Sequence, residues 1–379
     1  MARLGDIATY INGYAFKPTD WSDEGIPIIR IQDLTGNSYQ ANRFNGEYAP
    51  KYEVNYGDVL ISWSASLGVY VWTREKAVLN QHIFKVCFDK AEVDKNFFVH
   101  QVECILSNAA GDAHGATMKH LTKPVFDALP FYLPSIQEQK KIANELDKVS
   151  HLISLRKQQL AKLDELVKSR FIEMFGDPTT NSLLLPTEAM TDICTIIDGD
   201  RGNNYPKQED FVENGYCLFL NAKNVTATGF CFENCMFITE EKDNALRKGK
   251  LERGDVVLTT RGTLGNLAYY DETVPFDNVR INSGMVILRM KKGIVSEVFF
   301  IEQFKLQLQS IKEKIASGSA QPQLPISTMN KIKILIAPMD KQRRFEIFIE
   351  QTDKSKFEIQ KSLEKLETLK KALMQKYFG

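Results

Sequence analysis

Two long helical stretches of similar length constrain the fold of this chain more than any other feature of its sequence. The first covers residues 137–176, has no proline or glycine before Gly176, and repeats apolar residues at steps of three and four. This is the period of one helix with an apolar seam along one side. The second covers residues 342–379. At ~1.5 Å per residue, a helix of about 40 residues spans on the order of 60 Å.

The two helical stretches align residue by residue without a gap. The aligned pairs are Gln139 with Gln342, Leu160 with Leu363, Leu163 with Leu366, Leu166 with Leu369, and Phe175 with Phe378. Helical composition alone would explain shared leucines, but it would not explain a Phe-Gly ending in register. We therefore interpret the chain as a tandem duplication.

The globular stretches before each helix repeat in the same order. Residues 56–68 (YGDVLISWSASLG) parallel residues 253–265 (RGDVVLTTRGTLG), residues 80–82 parallel residues 282–284, and residues 115–121 parallel residues 318–324. The duplication predicts a first domain over residues 1–134, a central helical region over 135–176, a second domain over 177–338 and a final helical region over 339–379.

Local patterns predict mixed secondary structure in both domains. Residues 26–31, 59–61 and 83–88 are short apolar runs bounded by Gly, Asn, Asp and Pro, as is typical of strands, whereas residues 96–106 predict a helix. The expected fold class is α+β. It comprises two mixed α/β domains separated by two long helices that pack as an antiparallel coiled coil, which makes a pseudo-two-fold tandem repeat.

The helix seams support this pairing, because charged breaks in one helix align with apolar positions in the other. Arg156 aligns with Ile359 and Arg170 with Leu373. The alternative interpretation is that these positions form solvated faces. Ser135 adds a residue between Pro134 and the first helix that has no counterpart after Pro338, so we expect the two helix entries to differ.

Composition limits the class of protein. The formal net charge is zero, which disfavours a protein that binds nucleic acid without help, although 43% hydrophobic and 25% charged residues suit a globular chain. The sequence shows no apolar run of membrane-spanning length and no signal-peptide core. The six cysteines form no Cys-x-x-Cys pair, so buried thiols are expected rather than zinc. We expect a cytoplasmic protein.

Enzymatic signatures are missing from the sequence. It has no phosphate-binding Gly-x-x-x-x-Gly-Lys-Ser/Thr loop and no Asn-Pro-Pro-Tyr, and its five histidines have no metal-ligand spacing. We therefore expect no catalytic residue, no metal site and no cofactor on this chain.

Polar loops are the better candidates for function. Residues 197–207 (IDGDRGNNYPK) combine Arg201, Asn203, Asn204 and Lys207, and residues 260–263 form a Thr-Arg-Gly-Thr turn around Arg261. Arginine pairs with guanine and asparagine with adenine in the DNA major groove, and threonine can reach phosphate. The alternative is that Asn, Asp and Gly occupy these loops for backbone reasons alone.

The ordered, doubled motifs resemble the specificity subunits of type I restriction–modification systems over essentially the whole chain. The motifs are GYAFK (13–17), GDVL (57–60), NQH (80–82), DGDRG (198–202), NYPK (204–207), GDVVL (254–258) and RGTLG (261–265). The resemblance implies two target recognition domains, each reading half of a split DNA sequence. It also implies two methyltransferase subunits docked on the helices, with restriction and translocase subunits, and places S-adenosylmethionine, ATP and Mg²⁺ on those partners.

On these grounds we predict residues for two roles. The predicted DNA-binding residues are Lys17, Trp63, Ser64, Asn80, Gln81, His82, Lys119, Arg201, Asn203, Asn204, Lys207, Arg261, Thr263, Asn282 and Gln321. The predicted subunit-docking residues are Gln139, Leu160, Leu163, Leu166, Phe175, Gln342, Leu363, Leu366, Leu369 and Phe378. Two other classes remain as alternatives: a coiled-coil adaptor with two protein-binding heads, and a stand-alone nuclease.

Overall fold

The structure is a computed structural model that describes residues 1–36, 42–64, 66–111, 122–316 and 323–379. The predicted site residues Lys119 and Gln321 lie outside the described residues. The chain divides into two compact units: residues 1–158 with 360–379 form unit 1, and residues 159–359 form unit 2. The end of the second long helix therefore belongs with the first domain, as the antiparallel arrangement requires.

Unit 1 contains the first set of short elements, followed by a long helix. In chain order these are β1 (Ala2–Arg3), α1 (Leu4–Ile7), β2 (Thr9–Asn12), β3 (Ile26–Ile29), α2 (Ile31–Thr35), β4 (Arg43–Phe44), β5 (Glu53–Val54), β6 (Val59–Ser62), β7 (Gly68–Val71), β8 (Ala77–Leu79), β9 (Ile83–Cys87), α3 (Lys95–Gly111), α4 (Lys123–Asp127), β10 (Pro130–Phe131) and α5 (Ile136–Phe175), which ends in unit 2.

Unit 2 contains the second set and the second long helix. These are β11 (Thr187–Ala189), α6 (Met190–Ile193), β12 (Cys194–Asp198), β13 (Cys217–Phe219), β14 (Val225–Thr226), β15 (Gly229–Phe230), β16 (Phe237–Ile238), α7 (Glu240–Ala245), β17 (Val256–Thr259), β18 (Leu267–Tyr269), β19 (Val279–Arg280), β20 (Met285–Met290), α8 (Glu297–Ala316), α9 (Ile326–Met329), β21 (Lys333–Leu335) and α10 (Met339–Phe378), which ends in unit 1.

The predicted strands and helices are present, with one local difference. The strand predicted over residues 26–31 stops at Ile29, and Ile31 begins α2. The cause is a side-chain cap: the Asp33 carboxylate accepts a hydrogen bond from the backbone N–H of Arg30 at 2.8 Å, which favours a helical turn over an extended strand. An apolar run cannot reveal this competition by itself.

The two units repeat the same sheet topology. Unit 1 has a four-stranded sheet in the order β2-β9-β6-β7, and unit 2 has the order β12-β20-β17-β18. In each unit a second sheet holds one parallel pair, β3 with β8 or β13 with β19. The matching topology supports the tandem duplication inferred from the sequence.

The central strands are apolar throughout because each lies between two cores. In β6, Val59 and Ile61 face the core that contains α3, whereas Leu60 faces the core around Trp72. In β17, residues 256–258 divide between two cores in the same alternating way. Side chains that alternate across a strand become a continuous apolar run when both faces are covered.

The two long helices pair antiparallel within each unit. In unit 1, Arg156 donates to Ser362 at 3.2 Å, and Tyr377 donates to Glu145 at 2.6 Å. Residue numbers along α5 therefore fall as those along α10 rise. In unit 2, an ion pair of 2.7 Å joins Lys356 to Asp164. These contacts favour a paired seam over two solvated faces.

The ends of both helices close a core. Phe175 packs on Phe299 with ring centroids 4.7 Å apart in unit 2, and Phe378 packs on Phe97 at 5.5 Å in unit 1. Gly176, at φ 79, then ends α5, and its N–H donates to the carbonyl of Ile172. A left-handed glycine followed by proline is a common helix stop.

The two helix entries prove equivalent, so the expected difference at Ser135 is wrong. The Gln139 amide accepts from the N–H of Asp94 and donates to the carbonyl of Pro134. The Gln342 amide accepts from Ser296 and donates to the carbonyls of Ile294 and Ala337. Ser135 therefore stands where Pro338 stands, and the entries differ in the position of the proline and in the extra hydrogen bond from Gln342 to Ile294.

Gln342→Ala should lower the free energy of unfolding of unit 2. The substitution leaves the Ser296 N–H and two carbonyls without their buried partner, and each such group costs roughly 1–3 kcal/mol. Chemical denaturation of the purified protein measures the change. Gln360→Ala, an exposed glutamine on the same helix, is the matched control and should stay within about 0.5 kcal/mol. Equal losses in the two variants would contradict the structural role of Gln342.

None of the helices within the described ranges is both long enough and apolar enough to cross a membrane.

Candidate nucleic-acid interface

In unit 1, three connections meet at one end of the main sheet. The first connection follows β2, the second follows β6, and the third leads into β9. Backbone hydrogen bonds hold them together: Tyr14 N–H donates to Leu79 at 2.9 Å, Gln81 N–H donates to Tyr14 at 2.8 Å, and Trp63 N–H donates to His82 at 3.2 Å.

The same three connections meet in unit 2, after β12, after β17 and before β20. Thr260 N–H donates to Gly284 at 2.8 Å, as Trp63 does to His82 in unit 1. Gly13 and Gly199 occupy equivalent positions, because a Cβ on either would collide with the carbonyl of Asn80 or Asn282. Both units therefore present one loop framework whose side chains differ.

The structure places most of the predicted DNA-binding residues in these connections. The residues that lie there are Lys17, Trp63, Ser64, Asn80, Gln81 and His82 in unit 1, and Arg201, Asn203, Asn204, Lys207, Arg261, Thr263 and Asn282 in unit 2. Tertiary structure thus groups residues that are far apart in sequence, which is the arrangement required of a binding surface.

Two predicted contacts in unit 1 need correction, because their side chains are turned into the protein. Trp63 is half-buried and stacks on Phe84 with centroids 5.7 Å apart, while its indole N–H donates to Asn12 at 3.2 Å. Ser64 is only 6% exposed. Both residues were predicted to contact DNA, but in the structure they lie below the loop surface.

The loop of residues 198–207 is held by a buried carboxylate. Asp200 accepts from the backbone N–H of Gly202 and of Arg247, both at 2.7 Å. The hydrogen bond from Gly202, opposed by burial and helped by Arg247, lowers the pKa of Asp200. Because the charged form is favoured, Asp200 can hold this loop as a fixed structure.

A buried ion cluster holds the backbone beside Arg247, whose N–H bonds to Asp200. Arg280 donates to the Asp243 carboxylate at 2.7 Å and to the carbonyl of Lys248 at 2.6 Å, and Lys250 pairs with Asp243 at 2.6 Å. Burial opposes ionisation, but hydrogen bonds from Lys250 and Arg280 lower the pKa of Asp243. A single buried carboxylate with two cationic partners avoids the cost of an unpaired charge.

The two arginines of unit 2 that were predicted to bind DNA differ in how they are held. Arg201 is tied to the Asp198 carboxylate at 3.1 Å and to the carbonyl of Ser283 at 3.3 Å. Arg261 is exposed, and within the described residues its guanidinium makes no hydrogen bond or ion pair. Arg261 can therefore offer its full set of five donors to a ligand.

Lys17 and Lys207 are structurally equivalent. Each is exposed, and each donates its backbone N–H to an aspartate three residues later at 2.8 Å, Asp20 or Asp210. Neither ammonium group makes a hydrogen bond or ion pair within the described residues, although the charge of Lys207 helps to lower the pKa of Asp210. Both suit contact with phosphate, where a lysine acts as a point charge.

Three more of the predicted residues help to shape their turns through side-chain hydrogen bonds. The side-chain oxygen of Asn80 accepts from the N–H of Gln81 at 2.9 Å, and that of Asn282 accepts from Gly284 at 2.8 Å. The Asn204 amide donates to the carbonyl of Ala245 at 3.1 Å. The backbone explanation left open by the sequence therefore accounts for part of each of these side chains.

The predicted docking residues divide by burial. Gln139, Gln342, Phe175 and Leu363 are at most 6% exposed, so these four stabilise the protein itself and are corrected as docking positions. Leu160, Leu163, Leu366 and Phe378 are half-buried. Leu166 and Leu369 remain 48% and 46% exposed, so their docking role stays a prediction.

Three residues that shape the interface were missed from the sequence: Asn12, Asp198 and Asp200. Asn12 and Asp198 end equivalent strands, and each faces the loops of its unit through a hydrogen bond or ion pair. Asn12 and Asp198 align with each other at the ends of β2 and β12, and this alignment could have identified both from the sequence. Over the described part of the chain, no group of three or more His, Cys, Asp or Glu could hold a metal ion.

Comparison with known families identifies the fold. The family model described as the type I restriction modification DNA specificity domain matches residues 1–165 and again residues 187–371. The chain belongs to this family. The resemblance drawn from the sequence motifs is confirmed, and the two repeats are two DNA specificity domains.

Individual relatives agree with this assignment. The EcoBI specificity subunit of Escherichia coli is 23% identical over 321 residues, covering 78% of this chain and 66% of the relative. The MjaVIII specificity subunit of Methanocaldococcus jannaschii is 23% identical over 395 residues, covering 99% and 90%.

Solved structures share the fold. The type I restriction–modification S subunit of M. genitalium matches with a TM-score of 0.56 at 17% identity, covering 100% of this chain and 95% of that one. A chain from a structural study of type I complex assembly matches with a TM-score of 0.52. The α+β fold class with two repeated specificity domains is confirmed.

Proposed function

We propose that this chain is the DNA-reading subunit of a type I restriction–modification complex and recognises a bipartite target. Residues 1–134 would read one half-site and residues 177–338 the other. The observation that carries this proposal is the repeated loop framework, which presents unlike side chains in the two units. Two domains that each recognise a different DNA half-site need different side chains on a common loop framework.

The helices supply the proposed docking surface for two methyltransferase subunits. Leu166 and Leu369 occupy equivalent positions and are both about half exposed, so each repeat offers a similar apolar patch. The restriction and translocase subunits would join through the methyltransferases. S-adenosylmethionine, ATP and Mg²⁺ would bind to these partners, and the complex would act on DNA in the cytoplasm.

The net charge of zero agrees with a shared DNA-binding surface. Nonspecific DNA affinity arises mainly from phosphate contacts made by lysine and arginine. A neutral subunit therefore needs its partners to supply part of the positive charge. A protein-binding adaptor is the weaker alternative, because both matched regions are DNA specificity domains.

Reconstitution with the methyltransferase tests the proposal. Purified subunits should methylate adenine only in a split motif, whereas the methyltransferase without this chain should show no such preference. Sequencing of methylated adenines reads out the motif. Methylation that ignores this chain, or a motif with one continuous block, would contradict bipartite recognition.

Arg261→Ala should relax the preference at one base position of the second half-site. An arginine bound to guanine contributes about 1–3 kcal/mol of discrimination, and Arg261 is free to make such a contact. Competition binding of the reconstituted complex, with each base tested in turn, measures the change.

Lys207→Ala is the control for the loss of one positive charge. As a phosphate contact, Lys207 should weaken binding to all sequences alike and lower the salt dependence of affinity. If Arg261→Ala behaved in the same uniform way, Arg261 would be a phosphate contact and not a base reader.

A further inference from the structure

The pair formed by Trp63 and Asn12 fixes the chemistry of one exposed side chain in unit 1. Asn12 ends β2 at the sheet end where the three connections meet, and it is exposed. The Trp63 indole nitrogen lies 3.2 Å from the Asn12 side-chain oxygen. An indole N–H can only donate, so the amide oxygen must face the tryptophan.

The orientation of the Asn12 amide follows from this constraint. With its oxygen used by Trp63, the amide presents its NH₂ group outward, and within the described residues that nitrogen makes no hydrogen bond. Asn12 thus directs its amide oxygen toward Trp63 and its donors outward. In the major groove, donors match N7 and O6 of guanine, N7 of adenine and O4 of thymine, whereas cytosine presents a donor itself.

The surroundings hold Trp63 in place. Its ring stacks on Phe84 at an interplanar angle of 23° and meets the His82 ring edge-on at 4.9 Å. His82 has φ 72, a left-handed conformation that few non-glycine residues adopt. Strain of this kind persists where surrounding contacts impose it, and it concentrates at functional sites.

Unit 2 uses the equivalent position differently. Asp198 ends β12 as Asn12 ends β2, and its carboxylate holds Arg201 at 3.1 Å. Thr260 stands in the place of Trp63 and donates its hydroxyl to the carbonyl of Gly284 at 3.0 Å. In both units, therefore, the residue that ends this sheet strand belongs to a polar pair at the loop surface.

We infer that Asn12 is a specificity-determining residue of unit 1, reading a base acceptor through its NH₂ group, and that Trp63 is the positioning residue that sets the direction of this amide. The inference rests on the proposed function, since it names the base chemistry that one half-site must present. The position read by Asn12 is occupied by a base with an acceptor edge, and cytosine is excluded there.

Asn12→Asp tests this inference in the reconstituted complex with its methyltransferase subunits. One carboxylate oxygen can still accept the Trp63 N–H, and the other then faces outward as an acceptor. Aspartate accepts from the N4 amino group of cytosine. We expect preference at one base position of one half-site to move to cytosine by about tenfold, with all other positions unaltered.

Trp63→Phe tests the positioning role. Phenylalanine keeps an aromatic ring beside Phe84 but removes the N–H donor, so the Asn12 amide becomes free to turn and base preference at that one position should fall. In an Asn12→Ala background, Trp63→Phe should change base preference no further. A purely structural tryptophan would instead alter all positions together or lower stability alone, and that result would overturn its positioning role.

Asn45→Asp is the matched control. Asn45 is exposed in the loop after β4, so this variant makes the same change of charge. Its largest expected effect is an equal loss of affinity for every DNA sequence. A uniform loss in Asn12→Asp, like that of the control, would overturn the inference about Asn12. If the unaltered complex showed no sequence preference dependent on unit 1, the proposed function itself would fail.

Discussion

Replacing residues 177–338 with the corresponding domain of another specificity subunit should change one half of the methylated motif and leave the other half intact. The reason is structural independence. The loops of unit 2 are anchored on their own sheet, on Asp200 and on the Asp243–Arg280 ion pair. Sequencing of methylated adenines in cells that carry the hybrid complex would measure the new motif.

The exchange must preserve one packing contact. Phe171 of the retained helix α5 stacks on Phe299 at 5.2 Å and Phe175 packs edge-on against it at 4.7 Å, so the donor domain must carry an aromatic residue at that position. The reciprocal exchange of residues 1–134 is the control and should alter the opposite half. A change in both halves after either exchange would show that the domains do not read independently.

Lengthening both long helices together should lengthen the spacer between the half-sites. We consider four residues inserted after Leu160 and four after the equivalent Leu363. Each helix gains about 6 Å, close to the ~6.8 Å of two base pairs at ~3.4 Å each. The half-sites should keep their sequences, with one or two more base pairs between them. Binding to libraries of variable spacer length measures the effect.

Rotation should make the lengthened protein bind less tightly. Four residues turn a helix by roughly 400°, a net rotation of about 40°, whereas two base pairs turn DNA by about 70°. Domain tilt or DNA twist must absorb the difference of about 30°. Insertion into α10 alone is the control. It should abolish activity because it shifts the antiparallel seam that joins Arg156 to Ser362 and Lys157 to Glu367.

If the double insertion left the preferred spacer length unaltered, the length of the helices would not set the distance between the half-sites. The half-sites would then be positioned by something other than helix length, such as the docked methyltransferases. Loss of all binding in the double insertion, with correct folding, would show that the rotational mismatch is too large to absorb.

The helices and their duplication could be predicted from the sequence because their signals are local and repeated. Apolar steps of three and four define a helix regardless of its neighbours, and Gly176 with Pro178 ends the first one. As predicted, each long stretch is one helix: α5 covers Ile136–Phe175 and α10 covers Met339–Phe378. The aligned Phe-Gly ending also identified the repeat, because register is a property of sequence.

The main strands were also predictable, since short apolar runs between turn residues need little tertiary information. Their ends were less so. Ile31 entered α2 because the Asp33 carboxylate caps that turn, and the helix entry at Ser135 matched the second one because the amide of Gln139 selects the same carbonyl position. Side-chain hydrogen bonds of this kind are chosen only when the surrounding chain is in place.

The side chains that would face DNA under the proposed function depend on the tertiary structure. The sequence predicted Trp63 and Ser64 as DNA contacts, yet the indole packs on Phe84, whereas Asn12 is exposed. The sequence predicted both Arg201 and Arg261 as DNA-binding residues. In the structure, Arg201 forms an ion pair with Asp198, whereas Arg261 forms none within the described residues. Residue type sets what a side chain can donate or accept, whereas the direction of each donor depends on neighbours contributed by distant strands.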